Sequence, residues 1–185
     1  MRPVFYITVF IMAVLLLPFA CGDGQGKSEG LAVSAKAPVI DGTVAAGEYS
    51  FSQDYRGCTL YAARNKDIIT LAIKANTTGW VAIGVGSTVM NDAHIVIGFV
   101  KDGKPQLKEQ LGAGHGHHDT SAADSGVLDM AIKEENGITT LEVSLRAGDF
   151  IRDGQKELAV IIAYSSRASF MVRHSFRRGV VLQLQ

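Results

Sequence analysis

Two side chains in this sequence, Met90 and His174, carry donor atoms that bind transition metals, and both lie in predicted turns. Met90 stands between Val89 and Asn91 in a short polar break, where a methionine has little apolar surface to cover it. His174 stands in the basic segment VRHSFRRG. A thioether and an imidazole are each able to ligate a metal ion. Each residue also has a simpler explanation, as a loosely packed loop methionine and as a solvated surface histidine.

The apolar runs on either side of Met90 predict two strands that are covered on both faces, because strand side chains alternate. In the first run, one face carries Val81, Ile83 and Val85, and the other carries Trp80, Ala82, Gly84 and Gly86. In the second run, Ile95, Ile97 and Phe99 alternate with His94, Val96, Gly98 and Val100. The glycines beside Trp80 predict a shallow trough that suits the close approach of a protein segment or of a flat apolar ligand.

A second group of possible ligands is the segment HGHHD, which contains His115, His117, His118 and Asp119. Such a set could bind zinc or copper. It lies within GAGHGHHDTSAADSG, which predicts a long loop without an element to orient the donors. We expect this loop to lie outside the ligand pair Met90 and His174, which a family resemblance implies. His94 is a rival ligand, although its spacing from Met90 argues against ligation of one ion from opposite sides.

Composition and motifs exclude several classes of function. The 185 residues include 18 basic and 18 acidic side chains, so the net charge is 0, which argues against a nucleic-acid partner. The chain has no P-loop, no Gly-x-Ser-x-Gly and no CxxCH sequence. Glu134 and Glu135 precede a predicted hairpin turn and indicate a solvated strand end. We therefore predict a module without its own catalytic constellation, rather than an enzyme.

Short apolar runs separated by turn signals predict an all-β fold from residue 37 to residue 185. Asn136 and Gly137 form the strongest hairpin signal in the chain. A second hairpin is predicted at KDGKP, between AHIVIGFV and QLKEQL. No run has a convincing helical period. Many short strands at this spacing predict an antiparallel sandwich or barrel.

The first 21 residues have the pattern of an export leader, with Arg2 followed by an apolar run from Val4 to Ala20. The run ends at Cys21 and resembles a bacterial lipoprotein signal, in which Cys21 is lipidated and anchors the chain to a membrane. Pro18 departs from that pattern, since an aliphatic residue is usual there. The alternative is a transmembrane anchor, because the run is nearly long enough to span a bilayer.

Both interpretations of the leader place the domain outside the cytoplasm, in a bacterial cell envelope. Residues 22–36 are Gly-rich and polar, and predict a flexible tether. If Cys21 is acylated, Cys58 has no cysteine partner, and we expect it to be a small buried residue.

Three segments together resemble the DOMON domain family, in its extracytoplasmic prokaryotic branch. They are IDGTVAAGEYS, CTLYAARNKDIITLAIKANTTGWVAIGVGSTVMNDAHIVIGFVKDGK and AYSSRASFMVRHSFRRGVVLQL. The resemblance extends from about Ala37 to Gln185. It implies an immunoglobulin-like antiparallel β-sandwich.

Several members of that family bind b-type haem non-covalently between a methionine after the Trp-Gly strands and a late histidine. Met90 and His174 match these positions, and Trp80 would border the cofactor. The resemblance thus implies an electron-transfer module that contains haem b and has an unidentified redox partner protein. Other relatives are thought to bind sugars, so a carbohydrate- or small-ligand-binding module is the alternative, and a purely structural envelope module is a third.

The resemblance has two departures and one further implication. His94 stands where relatives commonly carry an aspartate, and the HGHHD segment replaces a variable Gly/Pro-rich stretch. Arg173, Arg177 and Arg178 could pair with haem propionates. Surface solvation is the simpler explanation of these arginines.

Overall fold

The computed structural model of the chain describes residues 30–34, 36–114, 116–121 and 125–185. These residues form two antiparallel sheets packed as a sandwich, which confirms the predicted all-β class. The elements are β1 Phe51–Tyr55, β2 Cys58–Arg64, β3 Ile68–Ala75, β4 Val81–Val85, β5 His94–Lys101, β6 Lys104–Ala113, β7 Gly116–Asp119, β8 Val127–Glu135, β9 Ile138–Arg146, α1 Ala147–Phe150, β10 Glu157–Tyr164 and β11 Phe176–Gln183. One sheet has the order β1-β2-β3-β9-β8, and the other has the order β11-β10-β4-β5-β6-β7.

Both predicted hairpins are present. Asn136 and Gly137 join β8 to β9 with φ angles of 55° and 80°. Asp102 and Gly103 join β5 to β6 with φ angles of 51° and 71°. Two consecutive residues with positive φ match the right-handed twist of the flanking strands. The turn residues therefore fix the register of both strand pairs.

The main core lies between the sheets and is filled by alternate residues of the central strands. Val81, Ile83 and Val85 of β4 point into it, as predicted. Cys58 is also buried there and is a free thiol, which confirms the sequence-based prediction. Burial raises the pKa of the Cys58 thiol to about 11, so it stays protonated at neutral pH.

One sequence-based prediction about a loop is wrong in part. The stretch GAGHGHHDTSAADSG is not all loop, because β6 continues to Ala113 and Gly116–Asp119 form β7 beside it. The predicted tether packs on the sandwich at its described end. Leu31 is 1% exposed and bridges to Leu184.

The predicted leader, the lipidation site Cys21 and the ligand candidate His115 lie outside the described residues. Among the residues that are described, no helix is long and apolar enough to cross a membrane.

Glu142 of β9 is a fully buried carboxylate on the outer face of the five-stranded sheet. Its Oε2 accepts hydrogen bonds from the backbone N–H groups of Asp41, Gly42 and Thr43, at 3.1, 2.7 and 3.1 Å. Its Oε1 accepts one from the Tyr49 hydroxyl at 2.6 Å. Burial, followed by the hydrogen bond to Glu142, raises the pKa of Tyr49 well above its ordinary value. The carboxylate therefore holds the N-terminal segment against the sheet.

We expect Glu142→Ala to lower the free energy of unfolding by about 3 kcal/mol or more, because three backbone donors and a hydroxyl lose a charged acceptor. Urea denaturation measures this loss. Glu135→Ala is the matched control, since the Glu135 side chain is 64% exposed and its ion pair with Lys133 contributes little. Equal losses in the two variants would contradict this role of Glu142.

Candidate functional site

The outer face of the six-stranded sheet carries a second apolar cluster, separate from the main core. Its buried members come from β4, β5, β10 and the residues beside them: Trp80, Ala82, Ala93, Ile95, Ile97, Phe99 and Ile161. A cavity of about 520 Å³ lies over this cluster. That volume is within the range of small-molecule sites, about 300–1,000 Å³. Met90, His174 and Trp80, the three predicted site residues, all line it.

The floor of the cavity is the trough predicted from the small residues of β4. Ala82 and Gly84 both line it. A Cβ on Gly84 would lie 2.5 Å from Cγ2 of Ile161 and 3.2 Å from Cβ of Ala93, so only glycine fits at this point. Gly86 does not belong to the trough, because it lies beyond the end of β4 with a φ of 91°.

Trp80 connects the sheet to the segment that covers the cavity, residues 165–175. The indole is 6% exposed, and its Nε1–H donates to the carbonyl oxygen of Val172 at 2.9 Å. The Trp80 backbone also exchanges hydrogen bonds with Arg167 and Ser165. From this segment Phe170 reaches over Phe99, with ring centroids 4.7 Å apart. Trp80 therefore supports the cover as well as lining the cavity.

Met90 belongs to a turn that lies directly on β6. Backbone hydrogen bonds join Asp92 to Gly112 and Gly112 to Ala93, at 3.1 and 2.9 Å. A Cβ on Gly112 would overlap the carbonyl oxygen of Met90. The half-buried Met90 side chain packs against the apolar cluster. Gly112 therefore permits the turn to bring the thioether to the cavity.

His174 is half-buried at the other end of the covering segment. Burial, and then the positive charges of Arg177 and Arg173, hold the pKa of this imidazole below its ordinary value. The ring is therefore neutral at pH 7, the form that binds metals. Both arginines line the cavity, and neither forms an ion pair with a described residue. Arg178 lies outside the lining.

His94 does not share the cavity with Met90. It is 8% exposed, and its Nε2 lies 2.5 Å from Oε1 of Glu109. Its ring meets Phe150 edge-on, with centroids 5.5 Å apart. The alternation of β5 places His94 on the face opposite Ile95, whose side chain lines the cavity.

The HGHHD segment reaches the cavity, because His117 lines it. His115 lies outside the described residues, so the metal site considered for this segment stays a prediction. No cluster of three or more His, Cys, Asp or Glu side chains suited to a metal occurs among the described residues.

Sequence reasoning missed Gln110, which lines the cavity and is 6% exposed. Its Nε2 donates to Oδ1 of Asp119 at 2.7 Å. Its Oε1 is buried and has no hydrogen-bond partner among the described residues. The hydrogen bond from Gln110 to Asp119, followed by the positive charge of Lys108, keeps the pKa of Asp119 below its ordinary value. The β6–β7 pairing brings these groups together, and a sequence interpreted as a loop does not reveal it.

A β-sandwich with a ligand-sized cavity on one outer face is the class that these features define. The DOMON domain family model matches residues 35–165, and the chain belongs to this family. No curated protein matches the chain significantly in sequence.

The solved structures that share the fold include two cytochrome domains. The cytochrome b domain of pyranose dehydrogenase from Coprinopsis cinerea has 12% identity and a TM-score of 0.56, over 73% of this chain and 81% of that one. The cytochrome domain of cellobiose dehydrogenase from Myriococcum thermophilum has 9% identity and a TM-score of 0.54, over the same shares of 73% and 81%. A family 9 carbohydrate-binding module from Caldicellulosiruptor kristjanssonii, in complex with glucose, has 10% identity and a TM-score of 0.48, over 84% and 95%.

We expect Gly112→Ala to push the Met90 turn away from β6 and to lower the free energy of unfolding by about 1–3 kcal/mol through overpacking. Chemical denaturation measures the stability, and the NMR signal of the Met90 methyl group reports the displacement. Gly116→Ala is the matched control in the same hairpin, because the atom nearest to its Cβ would be 3.8 Å away. An unmoved Met90 signal in Gly112→Ala would contradict the prediction.

Proposed function

We propose that this domain binds one b-type haem non-covalently in the cavity, with Met90 and His174 as axial ligands, and acts as an extracytoplasmic electron-transfer module. The observation that carries the proposal is that a thioether and a neutral imidazole, far apart in the sequence, line one apolar cavity. Two solved structures with the same fold are cytochrome domains, which supports the proposal.

The residues around the cavity fit a flat apolar macrocycle. Ala82 and Gly84 leave a shallow floor, and Ile95 and Ile161 supply apolar contact beside it. A haem also carries two carboxylates, and exposed arginines at the cavity suit them through charge-assisted hydrogen bonds. Arg173 and Arg177 are in this position without a carboxylate from the described chain.

The side chains that line the cavity favour electron transfer over catalysis at the metal. When bound, the haem supplies one-electron redox chemistry. Ligation by both Met90 and His174 leaves no vacant position for a substrate, and a thioether favours the reduced state. Trp80 and Phe170 add apolar surface at the cavity. We therefore propose a non-enzymatic module that exchanges electrons with a redox partner protein.

The domain, produced in a haem-replete host, should contain one haem and show a low-spin spectrum. We expect His174→Ala to lose most of the haem, because the imidazole is the stronger anchor. Met90→His should retain haem and lower the reduction potential, because imidazole replaces the thioether. Visible spectra and redox titration measure these effects. His118→Ala, on the other face of β7, is the control and should match the wild type.

A folded wild-type domain that contains no haem under these conditions would overturn the proposal. The alternative is then a carbohydrate- or other small-ligand-binding module, tested by calorimetry with soluble oligosaccharides. Trp80, which lines the cavity, would be the aromatic contact for the ligand in that case.

We also propose that a lipid on Cys21 anchors the domain to a membrane of the bacterial cell envelope. The support is the apolar run that ends at Ala20 and Cys21. Cys21→Ser should move the protein from the membrane fraction to the soluble fraction or leave the leader uncleaved, as measured by fractionation and mass spectrometry. Unchanged acylation and fractionation would overturn the anchor.

A further inference from the structure

His117 is the third side chain at the cavity, after Met90 and His174, whose donor atom is of a type that can bind a transition metal, and strand pairing determines its position. On β6 and β7, Gly112 pairs with His117 and Gln110 pairs with Asp119. Because strand side chains alternate, His117 and Gln110 share the face that lines the cavity. His118 pairs with Leu111 and belongs to the opposite face.

Met90 and His117 approach the cavity from the same edge. Gly112, the strand partner of His117, lies directly against the carbonyl oxygen of Met90. The Met90 turn follows the end of β4, whereas His174 lies near the start of that strand. Next to His174, the Ser175 N–H donates to the carbonyl oxygen of Tyr164, which pairs with Val81. His117 is therefore a neighbour of Met90, and His174 comes from the opposite end of β4.

Gln110 lies two residues along β6 from Gly112, the strand partner of His117, and carries an acceptor of the kind that a ligating imidazole needs. The hydrogen bond from its Nε2 to Asp119 fixes the orientation of the amide. Its buried Oε1 is left as an acceptor without a donor. An unsatisfied buried acceptor costs about 1–3 kcal/mol. A metal-bound imidazole donates its other ring N–H to such an acceptor, which orients the ring and raises its basicity.

We propose that His117 is an iron ligand exchangeable with Met90, opposite His174, and that Gln110 and Asp119 are its positioning residues. This inference rests on the proposed binding of haem. Two ligand sets follow, Met90 with His174 and His117 with His174. The set with two imidazoles has the lower reduction potential, because it lacks the thioether.

The test compares haem-loaded Met90→Ala, Met90→Ala/His117→Ala and Met90→Ala/His118→Ala. We expect Met90→Ala to retain haem in a low-spin form with two imidazole ligands, by electron paramagnetic resonance and near-infrared spectra. Removing His117 as well should convert the haem to a high-spin form and weaken its retention at least tenfold. His118→Ala on the same background should change nothing, since that side chain is on the other face.

The outcomes distinguish the proposed role of His117 from the proposed binding of haem, on which that role rests. Two outcomes would overturn the role of His117 and leave the proposed haem binding of the wild type intact. One is high-spin haem in Met90→Ala that does not change when His117 is also removed. The other is loss of haem in Met90→Ala alone. A wild-type domain without haem overturns the proposed function itself.

The role of Gln110 has its own readout. Gln110→Leu on the Met90→Ala background should raise the reduction potential, because the imidazole loses the acceptor that raises its basicity. The same change with His117 also removed should leave the potential unaltered. An equal shift on both backgrounds would show a general effect of polarity and would remove Gln110 as a positioning residue.

Discussion

The structure depends on one constraint: strand β4 is apolar on both faces. Its inner face contributes Val81, Ile83 and Val85 to the core between the sheets. Its outer face, with Trp80, Ala82 and Gly84, has no second sheet to cover it. Exposure of this face and its neighbours on β5 and β10 to water would be unfavourable, by about 25 cal/mol for each Å² of apolar surface. The chain therefore has to cover a face that most sandwich strands leave solvated.

Turns cover the outer apolar face of β4 only in part. The cavity is the space that they leave uncovered. One part is the segment 165–175, which approaches closely because Gly79 has no Cβ to overlap the backbone at Ser165. The other part is the Met90 turn, which lies on Gly112 in the same way. Between them a cavity of about 520 Å³ remains. The packing that hides the apolar face thus also brings a thioether and imidazoles to its border.

The sequence predicts the local parts of this arrangement well. Alternation along β4 and β5 correctly identifies the second apolar face, and the turn residues identify both hairpins. The convergence of Met90 and His174 follows from the family resemblance, and their axial role stays a prediction. His117 and Gln110 could not be assigned to the site, because glycines and histidines at residues 112–118 obscure a strand pair. Register between distant strands depends on tertiary packing, which a local pattern does not contain.

The positive charge at the cavity comes from arginines in the C-terminal part of the chain. The same arginines also affect the pKa of His174. Residues 158–185 contain four arginines and no carboxylate side chain, so Arg173 and Arg177 stay without acidic partners among the described residues. Their positive charge favours a ligand with carboxylates and also helps to lower the pKa of His174. Burial is nevertheless the larger cause of that lowering. The neutral form of the imidazole at the cavity is therefore favoured first by burial and then by the neighbouring arginines.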